Sequence, residues 1–69
     1  MGYVVIDSEQ VRSLREQKGM TRRNLAAEAG VSVSTARRVE GEVPVTFRTD
    51  RAVAEALGVE PPSSLGRVL

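Results

Sequence analysis

The sequence predicts an all-α domain of five short helices, preceded by a short extended segment. Apolar residues recur at helical spacing, as at Val11 and Leu14, and this periodicity is typical of helices that bury one face. These stretches begin at polar residues that can cap a helix and end at glycines. In residues 22–41, two such stretches meet at Gly30, with the spacing of a helix-turn-helix.

The first elements follow from local signals. Residues 1–7 form the extended segment, because Tyr3 to Ile6 is a β-branched run. Asp7 or Ser8 then begins the first helix, and both residue types are favourable caps. That helix should end at Lys18-Gly19, where glycine can adopt a left-handed conformation.

The central pair of helices has a cap at each start and a glycine between them. Thr21 caps the second helix, Gly30 supplies the turn with a positive φ, and Ser32 caps the third helix. In the third helix, Ala36 and Val39 are spaced to face inward. The outward positions are then Val33, Ser34, Arg37 and Arg38.

The C-terminal part is predicted to add two helices. Residues 41–46 read as a loop, and either Thr46 or Thr49 caps a fourth helix that stops at Gly58. A final short helix runs over residues 62–65. Within the fourth helix, the candidate core residues are Phe47, Val53 and Leu57.

The chain end is predicted to be less regular. Gly66 should end the fifth helix, and the tail over residues 66–69 is either frayed or used against a partner.

Size and composition limit the possible functions. The 69 residues form a single domain, 1–69, with a core of Val, Leu and Ala because Trp is absent and Phe and Tyr occur once each. Without Cys or His, the chain lacks a thiol nucleophile, an imidazole base and an ordinary zinc site. We therefore expect that the protein is not an enzyme and that it binds no metal or cofactor. No apolar run is long enough to span a bilayer, which predicts a cytoplasmic protein.

The distribution of charge is more informative than the net charge of +1. Residues 12–38 contain seven cations and two anions, a local charge of +5. Nine of the ten cations are Arg, whose planar fork suits phosphates and guanine edges. This cluster indicates a nucleic-acid partner, and the alternative is a solvated surface of salt-bridged side chains.

Five phrases together resemble the phage-repressor and Cro (Xre-like) family of helix-turn-helix domains, over Val11 to about Leu65. They are LREQKGMT at residues 14–21, NLA at 24–26, AGVS at 29–32, RVEG at 38–41 and AEALGV at 54–59. Where the family often has a longer polar residue, commonly Gln, this chain has Val33. Because of this difference, the DNA sequences recognised by other members of the family do not predict the operator of this protein.

The resemblance implies roles for individual residues on double-stranded DNA. The third helix would be the recognition helix, which enters the DNA groove. Arg15 and Glu40 would form a structural ion pair between the first helix and the end of this third helix. The positions implied to read bases are Val33, Ser34, Arg37 and Arg38, and those implied to contact the DNA backbone are Thr21, Arg22, Arg23, Ser32, Thr35 and Arg48. Arg38 is the candidate for a bidentate bond to guanine.

The resemblance implies a transcriptional regulator, most simply a small Cro-like or phage or mobile-element repressor that occludes an operator in a bacterium or phage-infected host. Two alternatives are the antitoxin of a toxin-antitoxin pair and an excisionase-like protein that bends DNA. No small-molecule effector is expected. A homodimer would form either through the strand Tyr3 to Ile6 or through an apolar C-terminal face of Val59, Leu65, Val68 and Leu69.

Overall fold

The computed structural model describes residues 2–59 and 66–68, and in them four helices pack against a small sheet. The helices are α1 (Ser8–Gln17), α2 (Arg22–Ala29), α3 (Val33–Glu40) and α4 (Phe47–Ala56). The strands are β1 (Tyr3–Ile6), β2 (Val45–Thr46) and β3 (Gly66–Val68). The four helices lie where the sequence predicted the first four.

The sheet corrects the all-α prediction. Its order is β2-β1-β3, and both pairings are antiparallel. Val4 of the central strand lies opposite Val45 on one side and Val68 on the other. The end of the predicted loop 41–46 is therefore a strand. The tail was predicted to be frayed or held by a partner, but its described residues 66–68 pair within their own chain.

The sheet forms because β1 has one fully apolar face. Val4 and Ile6 alternate with Tyr3 and Val5 along the strand, and both are fully buried, whereas Tyr3 is exposed. Because this face is buried, the backbone N–H and C=O groups along β1 are also removed from water and need hydrogen-bond partners along both edges of the strand. The short segments β2 and β3 supply them.

Two predictions about the C-terminal part have different outcomes. The predicted fifth helix, residues 62–65, lies outside the described residues. Gly66 was predicted to end that helix, but it lies in β3 opposite Ile6. An added Cβ at Gly66 would stand 3.1 Å from Val4 Cβ and Val5 O, so the small residue suits this close approach to the central strand.

The helix starts are defined by side chains that accept hydrogen bonds from the first turn. Asp7, rather than Ser8, caps α1 and accepts from the backbone N–H groups of Glu9 and Gln10. Thr46, rather than Thr49, caps α4, and its hydroxyl accepts from Thr49 N. The sequence left both choices open, since Asp, Ser and Thr are all acceptable caps.

The core is aliphatic, as the composition predicted. Its largest fully buried side chains come from the sheet and all four helices: Ile6, Leu25, Val4, Val11, Val39 and Val53. The prediction that Phe47 is a core residue is wrong, since it is 47% exposed. Its ring lies over Gly2, where an added Cβ would stand 2.5 Å from Phe47 Cε2. At the first position of α4, the Phe47 side chain therefore lies against the residue that precedes β1 and not among the packed helices.

The longest helices in the described residues, α1 and α4, have ten residues each. Among residues 2–59 and 66–68 no helix has the length and apolar character needed to cross a membrane.

Candidate nucleic-acid interface

The turn between α2 and α3 is built as a helix-turn-helix requires. Gly30 ends α2 with φ 68° and ψ 31°, a left-handed conformation that costs glycine little. The next N–H, from Val31, bonds back to Ala26 O at 2.9 Å, closing the end of α2. Ala26 is buried, so the small side chain lies where the two helices pack together.

The third helix, α3, presents a polar face to solvent because its apolar positions are spaced to face the core. Ser32 caps it and accepts from Thr35 N, while Ala36 and Val39 are fully buried. At 100° per residue, the predicted base-reading positions occupy an arc of about 140° on the opposite side. Of these, Ser34, Arg37 and Arg38 are exposed, and Val33 is half-buried. These four side chains form the outward face of α3.

The start of α2 is a second polar site. Thr21 and Asn24 form a reciprocal capping box, in which Thr21 Oγ1 accepts from Asn24 N and Asn24 Oδ1 accepts from Thr21 N. The N–H groups of Arg22 and Arg23, in the first turn, have no intrahelical acceptor. Both arginine side chains are exposed. The arrangement places positive charge and free N–H donors together at one helix start.

The predicted pair of Arg15 and Glu40 is brought together. Arg15 Nε lies 3.1 Å from Glu40 Oε2, and Arg15 Nη2 donates to Glu40 Oε1 at 3.2 Å. The third guanidinium nitrogen, Nη1, donates to the carbonyl oxygen of Met20 at 3.0 Å. The side chains are 15% and 2% exposed, respectively, so a nearly buried carboxylate joins the end of α3 to α1.

Arg22 shares the same carboxylate, which sequence reasoning missed. Its Nε lies 3.6 Å from Glu40 Oε2, and its side chain is 44% exposed. Sequence spacing carries no signal for this contact, since the two residues lie on different helices. Only the crossing of α2 and α3 brings the start of one near the end of the other.

The remaining predicted backbone-contact residues lie on two elements. Ser32 Oγ donates to Thr35 Oγ1 at 3.0 Å, so the Thr35 hydroxyl keeps its own proton for another acceptor. Arg48 is exposed in the first turn of α4, after the cap Thr46. Within the described residues, no group of three or more acidic side chains is arranged to hold a metal ion.

The loop after α3 contains another residue that the sequence did not single out. Glu42 adopts φ 58°, a conformation that non-glycine residues rarely take. Its Oε2 accepts from Ser8 N at 3.3 Å and from Ser8 Oγ at 3.2 Å. The carboxylate thereby ties the loop after α3 to the start of α1, where a negative charge is favourable.

A two-helix turn with a cationic outward face defines the class of this protein as a DNA-binding helix-turn-helix protein. A family model described as helix-turn-helix domain matches residues 8–67, and the chain belongs to that family. The match confirms the helix-turn-helix prediction and is consistent with the resemblance to the phage-repressor and Cro family. Domains of this family are typically not enzymes. None of the curated proteins compared with the chain matches its sequence.

Proposed function

We propose that this protein is a sequence-specific regulator of transcription that inserts α3 into the major groove of double-stranded DNA. The observation that supports this most strongly is the outward face of α3, whose two exposed arginines and one exposed serine lie opposite the buried Ala36 and Val39. A helix whose inner face is fixed in the core can present its other face to base edges in a defined register.

The residue types on this face suit readout of bases. Arg38 donates bidentate hydrogen bonds to guanine O6 and N7, and Arg37 lies one position away on the same face. Ser34 bonds to a base or a phosphate. Val33 contacts a thymine methyl, for which its half-buried aliphatic side chain is suited.

Phosphate contacts surround that face in the proposal. Arg22 and Arg23, at the start of α2, bind the DNA backbone together with the helix N-terminus. Thr35 donates its free hydroxyl proton to a phosphate, and Arg48 reaches the backbone from α4. The further members of this set are Thr21 and Ser32, through the backbone of the two capped helix starts.

The proposed mechanism is occlusion by a small Cro-like repressor of a phage or mobile element. A protein that covers an operator overlapping a promoter excludes RNA polymerase, and the affinity for the operator then determines the extent of repression. Two copies on an inverted repeat would place their recognition helices about 34 Å apart. The protein would act in the cytoplasm, where the DNA is.

The structure constrains how two copies could meet. Within one chain, β1 already pairs with β2 on one side and with β3 on the other, so a homodimer through this strand would require displacing one of them. In the alternative C-terminal face, Val59 packs against the chain's own core, Val68 is 67% exposed, and Leu65 and Leu69 lie outside the described residues. Of the two predicted routes, only the second is retained.

Selection from a random duplex library tests the proposal. The purified protein, and Arg38→Ala in parallel, are taken through several rounds at moderate salt. Enrichment of an inverted repeat supports a dimeric regulator, and enrichment of one half-site supports a monomeric one. Arg51→Ala is a matched control, because Arg51 is an exposed arginine on α4 outside the proposed interface. It should enrich the same sequence as the unmodified protein.

Failure would take a recognisable form. Binding of all duplexes alike, lost at higher salt, contradicts sequence-specific regulation and favours an architectural role in bending DNA. Absence of DNA binding contradicts the proposal altogether. A second protein retained on purification from the native host favours the alternative of an antitoxin that binds both DNA and a toxin.

A further inference from the structure

Two arginines surround one carboxylate at the junction of the three helices α1, α2 and α3. Glu40 accepts a bond from Arg15 at each of its two oxygens, while Arg22 lies 3.6 Å from Oε2. The anion is already paired by Arg15, which is largely buried. The cluster therefore has two positive charges against one negative charge, and the excess positive charge lies on the exposed member, Arg22.

We propose that Glu40 is a positioning residue for Arg22, holding its guanidinium beside the start of α2 in the orientation that receives a DNA phosphate. This inference rests on the proposed function, which places Arg22 on the DNA backbone. It adds that the last residue of the recognition helix sets the orientation of this phosphate contact.

The geometry favours this role over a second structural ion pair. The nitrogen nearest to Glu40 is Nε, on the side edge of the guanidinium. The terminal nitrogens of Arg22 donate no hydrogen bond to any described residue, so they can bind a second anion. A phosphate receives bidentate bonds from such a pair of nitrogens. Arginine can thus serve a carboxylate with one edge and a phosphate with another, which the single ammonium of lysine cannot do in the same way.

Burial of the carboxylate makes the positioning effective. The Glu40 side chain is 2% exposed and is fixed by Arg15, so its negative charge has a constant location and little screening by water. Arg22 would otherwise sample many rotamers, and ordering a long side chain on binding costs free energy. An arginine already held near its bound position loses less of that freedom when the phosphate arrives.

The test measures binding to a random-sequence duplex by fluorescence anisotropy over a range of salt concentrations. The variants are Arg22→Ala, Arg22→Lys and Glu40→Gln, each alone, and the double variant with Arg22→Lys and Glu40→Gln. Arg51→Lys is the matched control, because Arg51 is an exposed arginine on α4 outside the proposed interface and forms no ion pair among the described residues. Circular dichroism melts show which variants are folded.

Positioning predicts that Arg22→Lys weakens binding about fivefold with an unchanged salt slope, since the charge is kept and the held fork is lost. Arg22→Ala should also lower the slope by about one. Arg51→Lys should stay within about twofold of the unmodified protein. Glu40→Gln should weaken binding in the unmodified background and have a smaller effect beside Arg22→Lys, because the side chain it positions is then already absent.

The contrary outcomes separate two failures. If Arg22→Lys binds like the unmodified protein while Arg22→Ala is weaker, charge alone suffices and positioning is overturned, although the DNA-binding proposal stands. Equal effects of Glu40→Gln in both backgrounds assign Glu40 a purely structural role and also overturn it. No binding of duplex DNA by the unmodified protein overturns both proposals. If Glu40→Gln does not fold, an Arg22→Lys variant that binds like the unmodified protein still overturns the proposal.

Discussion

Glu40, the last residue of α3, is bound through both carboxylate oxygens by Arg15 of α1, with nitrogen-oxygen distances of 3.1 and 3.2 Å. The same guanidinium donates to Met20 O, just before α2. One side chain thus connects the first helix to the turn that precedes the second and to the end of the third. We expect the orientation of α3 to depend on this cluster as well as on aliphatic packing.

Removal of the Glu40 carboxylate should destabilise the folded protein. Glu40→Ala leaves Arg15 largely buried without its partner, and breaking a buried pair in this way costs about 3 kcal/mol of unfolding free energy. Urea denaturation followed by circular dichroism measures the loss. Glu55→Ala is the control, since Glu55 is an exposed acid on α4, and it should change stability by less than about 0.5 kcal/mol. An unchanged denaturation midpoint for Glu40→Ala would show that the pair does not hold the fold.

The left-handed turn at Gly30 gives a second prediction. No atom lies within 4 Å of an added Cβ there, so the cost of Gly30→Ala comes from the backbone conformation alone and should be about 1 kcal/mol. Gly30→Asn should lose less, because asparagine tolerates this conformation better. Equal losses for alanine and asparagine in thermal or urea denaturation would contradict the backbone explanation.

The sequence was sufficient for the four described helices because their signals are local. Capping residues and glycines lie within a few positions of the helix they bound, as Thr21 and Gly30 do for α2. The inward positions Ala36 and Val39 likewise follow from spacing within one helix. Such features are encoded by neighbours in the chain, so they are accessible without a structure.

The sheet could not be predicted in the same way. β2 has two residues and β3 has three, too few for a periodic pattern, and their partner β1 is distant from both in the sequence. Phe47 was misplaced for a related reason. Its apolar character suggested the core, but whether the first residue of α4 faces inward depends on how that helix meets the sheet.

For the candidate interface, the sequence indicated which residues matter but not which of them contact each other. Each of Arg15, Arg22 and Glu40 was singled out from the sequence, but the sharing of one carboxylate by both arginines was not. Pairings between helices depend on the angle at which they cross. Residues can be assigned to faces from periodicity, whereas the competition among them for a partner requires the three-dimensional arrangement.

Glu42 provides a prediction about the loop after the recognition helix. Glu42→Ala removes the bonds to Ser8 and keeps the unfavourable positive φ, so it should destabilise the protein by about 1 kcal/mol. Glu42→Gly also removes the bonds but relieves the backbone, so it should be the more stable of the two variants. Urea denaturation of both proteins checks the order. An alanine variant as stable as the glycine variant would mean that the backbone at this position is not strained.

The two proposed classes of DNA contact should differ in their dependence on sequence. Arg38→Ala removes a base contact, so it should cost about 1 to 3 kcal/mol on a selected site and relax the preference at one base pair, with a smaller effect on random DNA. Arg22→Ala removes a phosphate contact, so it should weaken both duplexes alike. Binding titrations on the selected duplex and on a scrambled duplex of equal length measure both effects. Equal losses on the two duplexes from Arg38→Ala would move this residue to the phosphate contacts, and the base readout would then rest on Ser34, Arg37 and Val33.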